Sequence, residues 1–151
     1  MCAKTTMGDT YHDKGPGSEW KLEIKVRVSE TDMLGHINNA SYFTYMEVAR
    51  LDFLQKLGID VSNSEFTIML VSAKCDFIRQ GYFGQILDIK TTVQKIGRTS
   101  FTLGSEMSDK KSGNMIAKGE VTIVYFDILN QKPAQLPEAF KVTLQDHMHL
   151  V

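Results

Sequence analysis

Asp32 and His36 stand four residues apart around Gly35, and Asn38 and Asn39 follow at once. A carboxylate and an imidazole brought together in one tight turn can move a proton at a shared reactant. The residues after them carry the pattern of a long helix, whose first N–H groups have no partner inside the helix. Such N–H groups hold an oxygen that becomes negative during reaction. A base at Asp32 beside a helix N-terminus is therefore equipment for acyl chemistry. The plainer alternative is an Asp that closes its own turn through backbone N–H groups, as short polar loops often require.

Two elements must hold that turn. Before it, residues 21–28 alternate, with Leu22, Ile24, Val26 and Val28 on one side and Lys21, Glu23, Lys25 and Arg27 on the other. This predicts a half-buried strand. After it, an Asn start and a stop at Gly58 bound a helix of about eighteen residues, close to ~27 Å long. At about 100° per residue, Phe43, Met46, Leu54 and Leu57 share one face, and Ser41, Asp52, Gln55 and Lys56 the other. Glu47 and Arg50 fall within about 40° of the Phe43–Leu54 axis, inside the apolar stripe. A lone buried charge is costly, so the two must pair at i,i+3 or line a cavity.

Four strand-like runs follow. Residues 66–79 are apolar until Lys74 and Asp76, and 86–96 alternate with Leu87, Ile89 and Val93 set against Asp88, Lys90 and Gln94. Gly97-Arg98 fits a two-residue hairpin of type II′ with glycine first. Residues 99–107 return with Phe101, Leu103 and Met107 on one side, 109–114 make a second tight connection, and 115–126 form the last long strand. Pro133 and Pro137 then precede a short amphipathic helix over 138–147. One strand, one long helix and four antiparallel strands predict an α+β domain, its helix lying against a curved sheet. Residues 1–18 are polar, Gly-rich and without period, and read as a mobile tail. The domain is expected over 19–127, with 128–151 as an extension carrying the short helix. There is no internal repeat.

The segment from Asp32 to Arg50 resembles the hotdog-fold acyl-CoA thioesterases, specifically the 4-hydroxybenzoyl-CoA thioesterase-like family. Their signature, D-x-x-G-[H/V]-[V/I]-x-[N/H/Y]-x-x-[Y/F] with E-x-x-R on the helix, is met by Asp32, Gly35, His36, Ile37, Asn39, Tyr42, Glu47 and Arg50. The likeness covers roughly residues 20 to 127 and implies the hotdog layout, a long central helix wrapped by the sheet. It also implies hydrolysis of an acyl-CoA or acyl-carrier-protein thioester, with Asp32 as nucleophile or general base on water. The thiolate leaves readily, so one activated oxygen and one oxyanion site suffice and no metal or cofactor is expected beyond the substrate's own coenzyme A. Asn39 would give its backbone N–H to the oxyanion and leave its side chain to cap or to position water. His36, a valine in many relatives, would orient Asp32 or its neighbours. Tyr42 and Phe43 would shape the acyl pocket, and Glu47 would be structural or reach a neighbouring subunit's cavity. Family helices pack back to back in a dimer, so a homodimer or homotetramer is implied. The family holds coenzyme A phosphates with Lys and Arg, which suggests Lys95, Arg98 and Arg79. Their dull explanation is a solvated strand end.

Other classes lack their features. Seventeen basic against eighteen acidic residues in a chain of 151 leave a formal charge of −1, no field for nucleic acid. No apolar run approaches a membrane span, and the N-terminus has no apolar stretch of the secretory kind. Two cysteines, Cys2 and Cys75, do not make a disulfide framework, so a reducing cytoplasm is expected. His147 and His149 alone do not make a metal site. The G-x-S-x-G, P-loop and G-x-G-x-x-G motifs are missing. Two rivals remain. A hotdog hydratase would add water to an enoyl thioester from an Asp and a His on the same loop, although the spacing here is the thioesterase form. A non-catalytic acyl-CoA-binding module would keep the pocket alone.

Overall fold

The computed structural model describes residues 20–148. The tail expected over 1–18, with Cys2, and His149 lie outside the described residues. The chain runs through β1 (Trp20–Lys25), α1 (Asn39–Lys56), β2 (Phe66–Phe77), β3 (Ile86–Ile96), β4 (Ser100–Asp109), β5 (Met115–Asp127), β6 (Lys132–Pro133) and α2 (Glu138–Gln145). The strands form one antiparallel sheet in the order β1-β3-β4-β5-β2, and β6 pairs with the end of β5 that β4 does not reach.

Alternation decides which side of the sheet is covered. Leu87, Ile89 and Val93 of β3, Phe101, Leu103 and Met107 of β4, and Val121 and Ile123 of β5 are all buried, as their spacing requires. β1 buries Leu22 and Ile24 and leads to buried Val26, but Val28 is 72% exposed, contrary to its expected place on the apolar side. The strand ends at Lys25 because a 3-10 turn over Val28–Glu30, closed by Arg27 and Glu30, takes over the backbone.

α1 begins one residue after its N-cap Asn38 and stops before Gly58, whose φ is +76°. Its buried face is Tyr42, Tyr45, Met46, Ala49, Phe53 and Leu54. The expected stripe is thus rolled by about 70°. Met46 and Leu54 keep their places, Phe43 is 38% exposed and Leu57 only partly buried. The two tyrosines can enter the core because each hydroxyl has a polar neighbour, Glu30 for Tyr45 and Gly81 for Tyr42. Phe43 turns instead to the flank beside β2.

The turn between β3 and β4 also differs from expectation. Gly97 N–H donates to Ser100 O at 2.7 Å, with Arg98 and Thr99 at the tip, and Gly97 lacks the positive φ of a type II′ turn. After β5 the chain stays on the domain: Leu136 and Leu144 are buried, and the ring of His147 packs against Trp20 and Phe53. α2 ends at Gln145, two residues short of the expected helix.

β2 is the edge strand next to α1, and its apolar run is largely uncovered. Met69 is 43% exposed, Leu70 48%, Val71 58%, and Phe77 and Ile78 close to half. A long apolar edge with open backbone groups is a template for pairing with another chain.

Candidate active site

Three pieces of chain meet at the end of the sheet beyond Phe77: the 30–38 loop, the start of α1 and the connection from β2 to β3. Within the first, Asp32 N–H donates to His36 O at 2.8 Å and Gly35 N–H to Asp32 O at 3.1 Å. Gly35 sits at φ +80°, where a side chain would strain the backbone. Asp32 Oδ1 accepts the N–H groups of Leu34 (2.8 Å) and His36 (3.1 Å). One oxygen therefore does the ordinary turn-closing work. Oδ2 has no partner among the described residues, and the residue is exposed. The turn-capping and chemical roles of Asp32 are compatible because they use different oxygens.

His36 steadies the carboxylate with its backbone N–H and not with its ring. The imidazole lies edge-on to Tyr82, ring centres 5.1 Å apart, and makes no hydrogen bond to Asp32. Asn38, not Asn39, caps the helix: its Oδ1 accepts Ala40 N–H at 2.9 Å, and its carbonyl accepts Ser41 N–H. Asn39 N–H is left without a partner among the described residues. The Asn39 side chain, with Tyr42, Phe77, Ile78, Arg79 and Gln80, lines a hollow of about 180 Å³.

Tyr42 and Phe43, expected to shape one pocket, face two. Tyr42 is 2% exposed and lies beside Asn39 and Phe77, and burial pushes its hydroxyl above the ordinary tyrosine value. Phe43 lies with Glu47, Arg50 and Leu70 around a separate hollow of about 120 Å³ between α1 and β2. Glu47 and Arg50 line that cavity without an ion pair between them. Burial lowers the Arg50 guanidinium from its ordinary value and Glu47 opposes the shift. Lys95 and Arg98 lie at the other end of the sheet. β3 spans eleven residues from Ile86, beside the site, to Ile96, so within one chain they are about 30 Å from the Asp32 turn.

Two features of the site escaped the motif. Glu30, 9% exposed, ties the loop together. Its carboxylate accepts Arg27 N–H (3.0 Å), Arg27 Nε (2.6 Å) and Tyr45 Oη–H (2.9 Å), while its carbonyl accepts Asn38 N–H and Ser41 Oγ–H. Burial pushes this carboxyl up, and the bonds from the Arg27 backbone, the Arg27 side chain and Tyr45 outweigh it, leaving the group below its ordinary value. The i,i+3 spacing of Arg27 and Glu30 was the available signal. Gly81 is the second. Its carbonyl accepts Ile37 N–H at 2.8 Å, and a Cβ there would stand 2.2 Å from Ile37 Cδ1 and 3.2 Å from Tyr42 Oη. Two glycines around an aromatic pair, Gly81 to Gly84, marked that connection in the sequence.

A free carboxylate oxygen on the loop that leads into an unclaimed helix N–H, with a hollow beside that N–H, is an arrangement that could serve attack on a carbonyl. A family model described as the thioesterase-like superfamily matches residues 26–144 of the chain. The chain belongs to the thioesterase-like superfamily. Among curated proteins it is 30% identical to YsmA of Bacillus subtilis, covering 85% of this chain and 91% of that one. It is 24% identical to the acyl-CoA thioesterase YbgC of Helicobacter pylori, over 82% and 98% of the two chains. Slr0204 of Synechocystis, a 1,4-dihydroxy-2-naphthoyl-CoA thioesterase, superposes with a TM-score of 0.79 at 21% identity, covering 85% of this chain and 97% of that one. The hotdog layout expected from the resemblance is the fold observed, and membership places the chain among thioester hydrolases. Among the described residues no helix is long and apolar enough to cross a membrane, and no three His, Cys, Asp or Glu side chains gather as for a metal.

Proposed function

We propose that the chain hydrolyses acyl-CoA thioesters at the Asp32 turn. The observation that carries this is the free Oδ2 of Asp32 on the same short loop that leads into the unclaimed N–H of Asn39. With the thioester oxygen on that N–H, Asp32 takes a proton from water as the water oxygen bonds to the carbonyl carbon. The tetrahedral intermediate then expels the thiolate, which receives the proton from Asp32. Direct attack by Oδ2, followed by hydrolysis of the anhydride, is the other order of the same chemistry.

The acyl pocket is completed by a second copy of the chain. The hollow beside Asn39, about 180 Å³, is smaller than a ligand site of ~300–1,000 Å³, and the exposed edge β2 ends at its wall with Phe77. Antiparallel pairing of two β2 strands sets the Phe77 end of one chain against the Phe66 end of the other. The β3–β4 turn lies at that Phe66 end, since Ser100 pairs with Val124 and Val124 with Met69. Such a dimer would carry one chain's Lys95 and Arg98 toward the other chain's Asp32 and give Glu47 a partner cavity. A reducing cytoplasm suits the free thiol of Cys75.

The test is thiol release from a panel of aliphatic and aromatic acyl-CoAs, with hydration product followed in parallel on unsaturated substrates. Asp32→Asn should lower turnover at least ~10²-fold, the scale of a positioned acid–base group, with the fold intact. Turnover within a few-fold of wild type would remove Asp32 from the mechanism.

A further inference from the structure

The face of α1 that turns toward β2 carries a charge without a partner. Glu47 and Arg50 share the hollow of about 120 Å³ with Phe43, Thr44, Leu70 and Ala73. The Arg50 guanidinium is half-buried, and it has neither a hydrogen bond nor an ion pair among the described residues. A cation left in this way is costly, and a carboxylate at i,i+3 on the same helix is placed to satisfy it. Glu47 is exposed instead and makes no such bond. Phe43 and Leu51, one turn to either side of Glu47, are 38% and 41% exposed. Phe43, Glu47 and Leu51 thus form an apolar stripe with charge at its centre.

The place of this stripe along the sheet decides what covers it. β2 runs from Phe66 to Phe77, so its middle lies between Val71 and Ser72. Leu70 and Ala73 bracket that middle, and they are the β2 residues that line the hollow with Glu47 and Arg50. Antiparallel pairing of two whole β2 edges sets a twofold axis at the middle of the strand, where α1 passes with Glu47 and Arg50. Residues beside such an axis meet the same stretch of the other copy. An axis at Glu47 would bring two carboxylates together, and one at Arg50 two guanidiniums. Midway between them each residue stands about 2 Å along the helix from the axis, and Glu47 meets Arg50 twice.

We propose that the twofold axis passes between Glu47 and Arg50, so that each chain's Glu47 enters the partner's hollow and forms an ion pair with the partner's Arg50. This rests on the β2-edge dimer of the thioesterase reading and defines how the two copies meet. An apolar edge can slide by two residues with the same side chains still facing the core, so it does not choose a register. Two reciprocal contacts of opposite charge do choose one. The register they fix sets which residues of the partner reach the Asp32 end.

The experiment reverses each charge in the full chain. Glu47→Arg sets a guanidinium against the partner's Arg50, and Arg50→Glu sets a carboxylate against the partner's Glu47, twice in each homodimer. Either variant alone should dimerise at least ~10-fold more weakly than wild type, because like charges across an interface are strongly unfavourable. Mixed in equal amounts the two should form a heterodimer in which both contacts have opposite sign again, with a dissociation constant within about threefold of wild type. Sedimentation velocity gives the constants, and native mass spectrometry separates the heterodimer from the homodimers by mass. Circular dichroism checks the fold of each variant; a variant that folds only when co-expressed with the other should be recovered in the heterodimer. The readout is assembly, so an inert panel of thioesters would defeat the activity and leave this test standing. Wild-type protein that is monomeric would remove the β2-edge dimer and the proposal with it. Single variants that dimerise as tightly as wild type, or a mixture and co-expression that yield no heterodimer, would overturn the proposal and leave the dimer. So would loss of turnover in Arg50→Glu with the dimer unchanged, which would give the guanidinium to the substrate.

Discussion

Glu30→Gln tests whether the loop that carries Asp32 is held by charge. In the native chain Glu30 Oε1 accepts Arg27 N–H and the Tyr45 hydroxyl, and Oε2 meets Arg27 Nε and Nη2, both at 2.6 Å. An amide can keep the Oε1 bonds, but it places an NH₂ donor against the guanidinium. A hydrogen bond to a charged group contributes about 1.5–3 kcal/mol. The Arg27 side chain is 57% accessible, so solvent screening brings that pair down to about 1 kcal/mol or less. Replacing the carboxylate that Tyr45 meets in the core adds about 0.5–1 kcal/mol. The sum, about 0.5–2 kcal/mol, corresponds to a melting temperature lower by roughly 1–8 °C for a chain this size. The pH dependence follows from the carboxyl's lowered pKa. A depressed carboxylate stabilises the fold above its unfolded pKa, and that contribution fades as pH falls through the folded value. The gap between wild type and variant should therefore be full at neutral pH and shrink in acid. Scanning calorimetry at about pH 7 and about pH 3 measures both melting temperatures. Turnover should fall about 10-fold as well, since weaker side-chain bonds leave Glu30, whose carbonyl holds Asn38, less firmly placed. No gap at neutral pH, or the same gap in acid, would refute the reasoning.

Gly81→Ala should destabilise the chain by about 1–3 kcal/mol through overpacking, because the new Cβ meets buried Ile37 and Tyr42; a wild-type melting temperature would show that the connection shifts freely. The exposed β2 edge should make the protein a dimer or larger at low micromolar concentration, with activity per chain falling on dilution. Leu70→Lys, on that edge, should yield a folded monomer with impaired turnover, and light scattering that finds a fully active monomer would end the dimer reading.

Much of this was legible in the sequence because it is local. The alternation of β3 and the turns at Gly35, Gly58 and Gly113 depend on neighbouring residues alone, and their glycines do adopt positive φ. The Asp32-Gly35-His36 spacing marks a turn before a helix for the same reason. The resemblance implies roles for these residues, and the structure adds which atoms are open: Oδ2 of Asp32 and the N–H of Asn39. Which side of α1 faces the sheet was not local. Phe43 is as apolar as Tyr42, and only Glu30 and Gly81, distant in sequence, give the tyrosine hydroxyls polar neighbours and so turn them inward. The position of Lys95 and Arg98, far from Asp32 in the same chain, follows from strand pairing, which no window along the chain contains. The hollow beside Asn39 likewise exists only because the start of α1 and residues 77–80 are folded against one another. Short-range stereochemistry is written in residue type and spacing, whereas a cavity is a property of surfaces that meet only after the sheet has formed.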